Sequence, residues 1–279
     1  MKINSIIKGI GLGLIFIVFI IYTIGIVYIH IKYPDKSHFI YGYYTDSYGI
    51  LAAIGGVLGI YISNQWNGVK SVVGRAITMF SIGLLFQFLG QVGYAWYRYS
   101  YGIEDPYPAF PEIFYILSIP IYIYGIWQIA LAAGIKFKLK NPLYKLGSAL
   151  AIGGMMFLSY WLFLSNYDFT DANIIVIFIE FWYPIGQALY VTLAILALIL
   201  SNKLLGGEMK SKVYFILLAF IVQYIADTYF TIEYNFDAFY PAGTSDYLYV
   251  CAYFLMALAI YKFVDLPDKL HQKNLVSKK

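Results

Sequence analysis

The chain has 279 residues, 61% of them hydrophobic and only 12% charged, with a formal net charge of +4. A soluble domain carries about 25% charged residues, so this composition excludes an ordinary soluble fold and indicates an all-α integral membrane protein. The excess positive charge is spread over alternate loops and gives no basic patch for nucleic acid. The one cysteine (Cys251) excludes an internal disulfide, and His30, His38 and His271 all lie away from mid-span, so no cofactor or metal is expected.

The first apolar run, "GIGLGLIFIVFIIYTIGIVYI" at 9–29, has no charge over 21 residues, enough to cross a bilayer core. It is longer than a secretory apolar region and no small-x-small cleavage pattern follows, so it reads as a retained first span. Further runs at 48–63, 72–96, 113–135, 144–165, 173–201, 212–235 and 246–264 bring the expectation to eight transmembrane helices. The second run is short and reaches full length by borrowing "YGYYTDS" at 41–47. The connections are short, and a basic tail covers 266–279.

Lysine and arginine near span ends stay on the cytoplasmic side. With the N-terminus inside, sixteen of the nineteen basic residues fall inside and three, Lys32, Lys36 and Arg98, fall outside. Acids fall the other way, Asp35, Asp46, Glu112, Glu233 and Asp246 among them. The expected placement is a multi-pass protein of the cell membrane with both termini cytoplasmic.

Two segments echo each other. Gln87 aligns with Gln223 and Gln91 with Asp227 at an offset of 136; Glu112 aligns with Asp246 and Tyr115 with Tyr249 at 134. The dipeptide "SN" at 63–64 recurs at 201–202. These offsets predict two parallel four-helix repeats, 1–140 and 141–265, related by an axis along the membrane normal. The acids Glu112 and Asp246 then open equivalent helices, where negative charge favours the helix N-terminus by about 0.3–1 kcal/mol.

Polar and ionisable residues inside spans are costly and mark candidate sites. Glu180, Tyr183, Gln187 and Tyr190 share one face of the sixth span, while Pro184 frees the carbonyl of Glu180. Gln223 and Asp227 share a face of the seventh span; Gln87, Gln91 and Tyr94 share one in the third. The candidate ligand-binding set is therefore Gln87, Gln91, Tyr94, Glu180, Tyr183, Gln187, Gln223 and Asp227, converging on an outward-opening polar cavity. Helix-to-helix hydrogen bonding is the competing structural explanation. Neither a phosphate-binding loop nor a nucleophile–histidine pair is present, so no catalytic residue is assigned and no enzyme is expected.

The proline–aromatic–proline loop, the acid, and "FYIL" in "YGIEDPYPAFPEIFYIL" (101–117), followed by a proline-bearing span, carry a resemblance. So does "QYIADTYFTIEYNFDAFYPAGTSDYLYVCAYFLMALA" (223–259). Over about 80–126 and 215–262 the chain resembles the multi-span N-terminal membrane sensory region of bacterial and archaeal signalling proteins, of the diguanylate cyclase and histidine kinase type. The resemblance implies a sensor, here without an output domain behind it. The expected function is a receptor-like module that takes a small amphiphile or lipid and signals through a separate protein or a second copy of itself. The alternative is a proton- or ion-coupled secondary transporter; an intramembrane enzyme ranks below both.

Overall fold

The computed structural model describes residues 2–103, 106–132, 141–161, 173–201, 209–236 and 238–264. The basic tail, the last residues of the fourth and fifth expected spans, and acids Glu104, Asp105, Asp168, Asp171 and Asp237 lie outside these. Every regular element among the described residues is helical. In chain order they are α1 (Lys2–Lys32), α2 (Ile40–Ser47), α3 (Ile50–Gln65), α4 (Val72–Tyr101), α5 (Glu112–Ala132), α6 (Pro142–Ser159), α7 (Ile174–Ser201), α8 (Lys210–Asn235) and α9 (Thr244–Tyr261).

Seven spans are long and apolar enough to cross a membrane, with α2 and α3 together forming one of 26 residues, Ile40–Gln65. The chain is thus an all-α protein with the makings of a multi-pass membrane protein. The fifth expected run gives a shorter apolar helix, Lys145–Ser159.

Local chemistry sets the boundaries. Ser71 caps α4, its hydroxyl accepting from the Gly74 N–H at 2.9 Å. Gly102 ends the same helix in the left-handed region at φ 65°, its N–H donating to the Arg98 carbonyl at 3.1 Å. Between α3 and α4 the turn needs two successive left-handed residues, and the chain supplies Asn67 and Gly68. Asn141 caps α6 and Pro142 takes its first position, where a missing N–H costs nothing. Pro120 interrupts the ladder of α5 and frees the Ile116 carbonyl, and the indole N–H of Trp182 on α7 fills that vacancy at 3.1 Å.

The core is one continuous apolar cluster that includes Leu51, Ile77, Phe80, Leu84, Ile126, Ile129, Phe220 and Ile260. The main packed pairs are α3 with α4, α4 with α5, α5 with α7, α7 with α8, α8 with α9, and α9 back to α3. They form a closed ring of six helices. α1 lies against α9 and α3, and α6 against α7, both at the periphery. A Cβ at Gly83 would collide with the Tyr122 ring, and one at Gly90 would meet the Tyr115 ring at 2.6 Å, so these glycines bring α4 and α5 close. Along α1 and α6 the reverse holds: Ile17, Ile21, Ile24, Leu146 and Leu150 are exposed, as helix faces turned to lipid would be.

Candidate functional site

The two ends of the ring differ in chemistry. One end, where α4, α8 and the turn after α1 finish and α5 and α9 begin, gathers the acids. It is called the acidic end below. Just beneath it three carboxylates are held between helices, each by donors from more than one element.

Asp227 on α8 is the most heavily bonded. Its Oδ2 accepts from Gln187 Nε2 of α7 at 2.7 Å and from Gln223 Nε2 of its own helix at 3.2 Å. Its Oδ1 accepts from the Tyr249 hydroxyl of α9 at 2.7 Å. Glu112, in the first turn of α5 and 7% exposed, accepts from the Tyr94 hydroxyl of α4 through Oε1 and from the Tyr183 hydroxyl of α7 through Oε2. Asp246, in the first turn of α9 and 3% exposed, accepts from Thr45 Oγ1 at 2.6 Å, the Tyr48 hydroxyl at 3.3 Å and the Ala242 N–H at 2.7 Å. Ala242 sits in the left-handed region at φ 54°, which costs a non-glycine residue about 1–2 kcal/mol, and this clasp holds it there.

Two glutamines complete the layer. Gln87 Nε2 donates to Ser118 Oγ at 2.9 Å, and its Oε1 accepts from the Tyr253 hydroxyl at 3.1 Å, so it ties α4 to both α5 and α9. Gln91 Nε2 donates to the Thr45 carbonyl. It reaches that carbonyl only because residue 49 is glycine: a Cβ at Gly49 would overlap Gln91 Oε1.

The eight residues expected from sequence therefore sort unevenly. Gln187, Gln223 and Asp227 form one hydrogen-bonded group; Tyr94 and Tyr183 meet on Glu112; Gln87 and Gln91 join neighbouring helices. Glu180 is bonded to none of these, and its Oε2 is buried without a hydrogen-bond partner. Sequence reasoning treated Glu112 and Asp246 as helix-end charges and left out Thr45, Tyr48, Tyr249 and Tyr253. The available signal was the echo between the two sequence segments, which aligns Glu112 with Asp246 and Tyr115 with Tyr249.

Several buried polar atoms in the layer have no hydrogen-bond partner: Gln91 Oε1, Gln187 Oε1 and the Tyr190 hydroxyl. Leaving a buried polar group unmet costs about 1–3 kcal/mol each. Among the described residues no lysine, arginine or histidine bonds to Glu112, Asp227 or Asp246. Two basic groups at this end are engaged elsewhere. Arg98 Nη1 bonds both carboxylate oxygens of Asp46 at 3.0 Å, and the Lys36 ammonium lies 3.5 Å over the Tyr240 ring. In the surface turn beyond, the Ser37 N–H and hydroxyl both donate to Asp35 and hold its carboxyl below the usual carboxylate range.

The layer can thus accept hydrogen bonds and positive charge, and it is built from phenols and carboxylates rather than from a nucleophile and a base. Among the described residues, no group of three or more histidine, cysteine or acidic side chains is arranged to hold a metal ion. Comparison of the chain with protein-family models, curated proteins and solved structures gives no match.

Proposed function

We propose that this chain is a polytopic membrane receptor-like module of the cell membrane, with both termini cytoplasmic. On this reading it binds a small amphiphilic or lipid ligand at the carboxylate–tyrosine layer and passes the signal to a partner. The observation that carries the proposal is the layer itself: three carboxylates, Glu112 and Asp246 buried and Asp227 partly so, bridged by side chains from five helical segments, beside buried polar atoms left without partners. Ionisable groups within spans are expensive, and packing alone is served by cheaper contacts.

Two parallel four-span halves are part of the proposal. The packing order supports them. If α1, α3, α4 and α5 correspond to α6, α7, α8 and α9, then α3–α4 corresponds to α7–α8, α4–α5 to α8–α9, and α5–α7 to α9–α3. The bonds follow the same rule. Glu112 is reached by Tyr183 of the other half, and Asp246 by Thr45 and Tyr48 of the other half. A ligand at this layer would touch both halves at once, which is what a module that reports occupancy by relative movement requires.

A carrier would need a polar route through to the opposite end. There, Ser63 donates to the Gly74 carbonyl, Thr78 to the same carbonyl and Ser81 to the Ile77 carbonyl, all satisfied by helix backbone, and no described acid lies at that depth. This favours the receptor over the transporter.

The test is ligand-induced thermal stabilisation in detergent, using fractionated lipid and metabolite extracts. A fraction that raises the midpoint of the wild type should lose its effect on Asp227→Asn, with the unliganded midpoint of the variant close to wild type. Equal stabilisation of both proteins would remove the layer as the site.

A further inference from the structure

The Asp227 group has a particular deficit. A carboxylate offers about four acceptor positions. Asp227 uses three of them, for Gln187, Gln223 and Tyr249. Gln187 is 4% exposed, and while its Nε2 is spent on Asp227, its Oε1 accepts nothing. One turn along the same face of α7, the Tyr190 hydroxyl, on a residue 1% exposed, is also unmet. Gln187 Oε1 lacks a donor, the Tyr190 hydroxyl lacks a partner of either kind, and among the described residues no cation bonds to Asp227.

The surroundings narrow the donor further. The Tyr190 and Phe220 rings are 4.3 Å apart, and Tyr122 stands 5.4 Å from Phe220, so Tyr190 belongs to an aromatic cluster. Aromatic faces attract weakly hydrated organic cations. An alkali ion would want several more oxygens than one carboxylate position, one amide carbonyl and one phenol. An ammonium group has three N–H donors, which match Asp227, Gln187 Oε1 and Tyr190 Oη. Asp227 and Gln223 are also only partly buried, so the niche is not sealed.

We infer that the niche formed by Asp227, Gln187 and Tyr190 takes the ammonium headgroup of a cationic amphiphile. The inference rests on the reading of this layer as a ligand site and names the class of ligand. The carboxylate supplies the counter-charge, the two oxygens receive the remaining N–H donors, and the rings of Tyr190 and Phe220 cover the headgroup. The second half alone carries the niche: the position matching Asp227 in the first half is Gln91, which is neutral and bonded to the Thr45 carbonyl.

The experiment compares octylammonium chloride, 1-octanol and sodium octanoate as stabilisers of purified protein, with sodium chloride measured against N-methylglucamine chloride. Wild type, Asp227→Asn and Gln187→Met are tested, each referred to its own unliganded midpoint. Octylammonium should raise the wild-type midpoint in proportion to the logarithm of its concentration above saturation. The rise should vanish in Asp227→Asn and shrink in Gln187→Met. Stabilisation by octanol or octanoate and not by octylammonium would overturn the ammonium assignment while leaving the receptor reading in place. Stabilisation by sodium alone would overturn it in favour of a metal ion. An octylammonium effect undiminished in both variants would place the cation elsewhere and overturn the niche. If no compound stabilises wild type while a lipid extract does so through Asp227, the ammonium assignment fails and the receptor reading survives.

Discussion

The two ends of the helix ring use hydrogen bonds in opposite ways. At the acidic end they run from side chain to side chain across helices: Tyr183 to Glu112, Tyr249 and Gln187 to Asp227, Thr45 and Tyr48 to Asp246. At the other end they run mostly from side chain to backbone. Trp66 donates to the Phe263 carbonyl at 3.1 Å, Ser71 to the Trp66 carbonyl, Arg75 to the Val69 carbonyl at 3.1 Å, and Ser63 to the Gly74 carbonyl at 2.9 Å. Bonds of the second kind close off helix ends and have one satisfactory arrangement. Bonds of the first kind join movable groups, and a ligand can replace one donor by another. On the proposed reading, one end serves structural closure and the other recognition.

The comparison breaks first if the ends are not on opposite sides of a membrane. With Cys251 replaced by alanine, a cysteine at Asp35 should react with an impermeant thiol reagent added to whole cells, whereas one at Val69 should react only after the membrane is opened. Both native positions are exposed, so burial does not protect either. The opposite labelling pattern would reverse the orientation.

The next largest effect is at Glu112. Replacing it with alanine removes the shared acceptor of Tyr94 and Tyr183 and leaves two hydroxyls to find others. The expected loss is about 2–3 kcal/mol of stability, read as a lower melting temperature. Glu112→Gln keeps one carbonyl acceptor and should recover part of that loss. Equal losses for the two substitutions would mean that packing, not the hydrogen bonds, is what the residue supplies.

At the opposite end the substitution of interest is Ser71→Ala. It deletes the cap of α4 and should cost about 1 kcal/mol. It should leave any ligand-induced stabilisation unchanged, because Ser71 lies at the opposite end of α4 from Gln91 and Tyr94. A change in ligand response here would blur the division between the ends.

The smallest effect tests strain. Ala242→Gly relieves the left-handed backbone beside Asp246, against the extra chain entropy that glycine loses on folding. A net gain of up to about 1 kcal/mol is expected in thermal unfolding. A clear loss would show that the Ala242 side chain packs more than its backbone strains.

Much of the fold was legible because the apolar runs are long and the polar loops short. Six of the expected runs coincide closely with α1, α4, α5, α7, α8 and α9. The second span was legible only in part. The break at Tyr48–Gly49 between α2 and α3 follows from Gly49 and from the crossing of Gln91 over it, a tertiary contact that no local pattern announces. The site was half legible for a similar reason. Helical spacing gathers Glu180, Tyr183 and Gln187 on one face, but spacing cannot say which neighbour each meets. Tyr183 meets α5 and Gln187 meets α8, while Glu180 joins neither. The acids that open α5 and α9 looked complete as helix-end charges, and only their partners on other helices give them a second role.

The most direct measurement is mass spectrometry of small molecules retained by the protein through purification, on wild type and Asp227→Asn side by side. The account predicts an amine-bearing amphiphile that is enriched with wild type and lost from the variant, at equal yield of folded protein. The same compounds retained in the same amounts by both proteins would contradict it, and the carboxylate layer would then stand as helix packing alone.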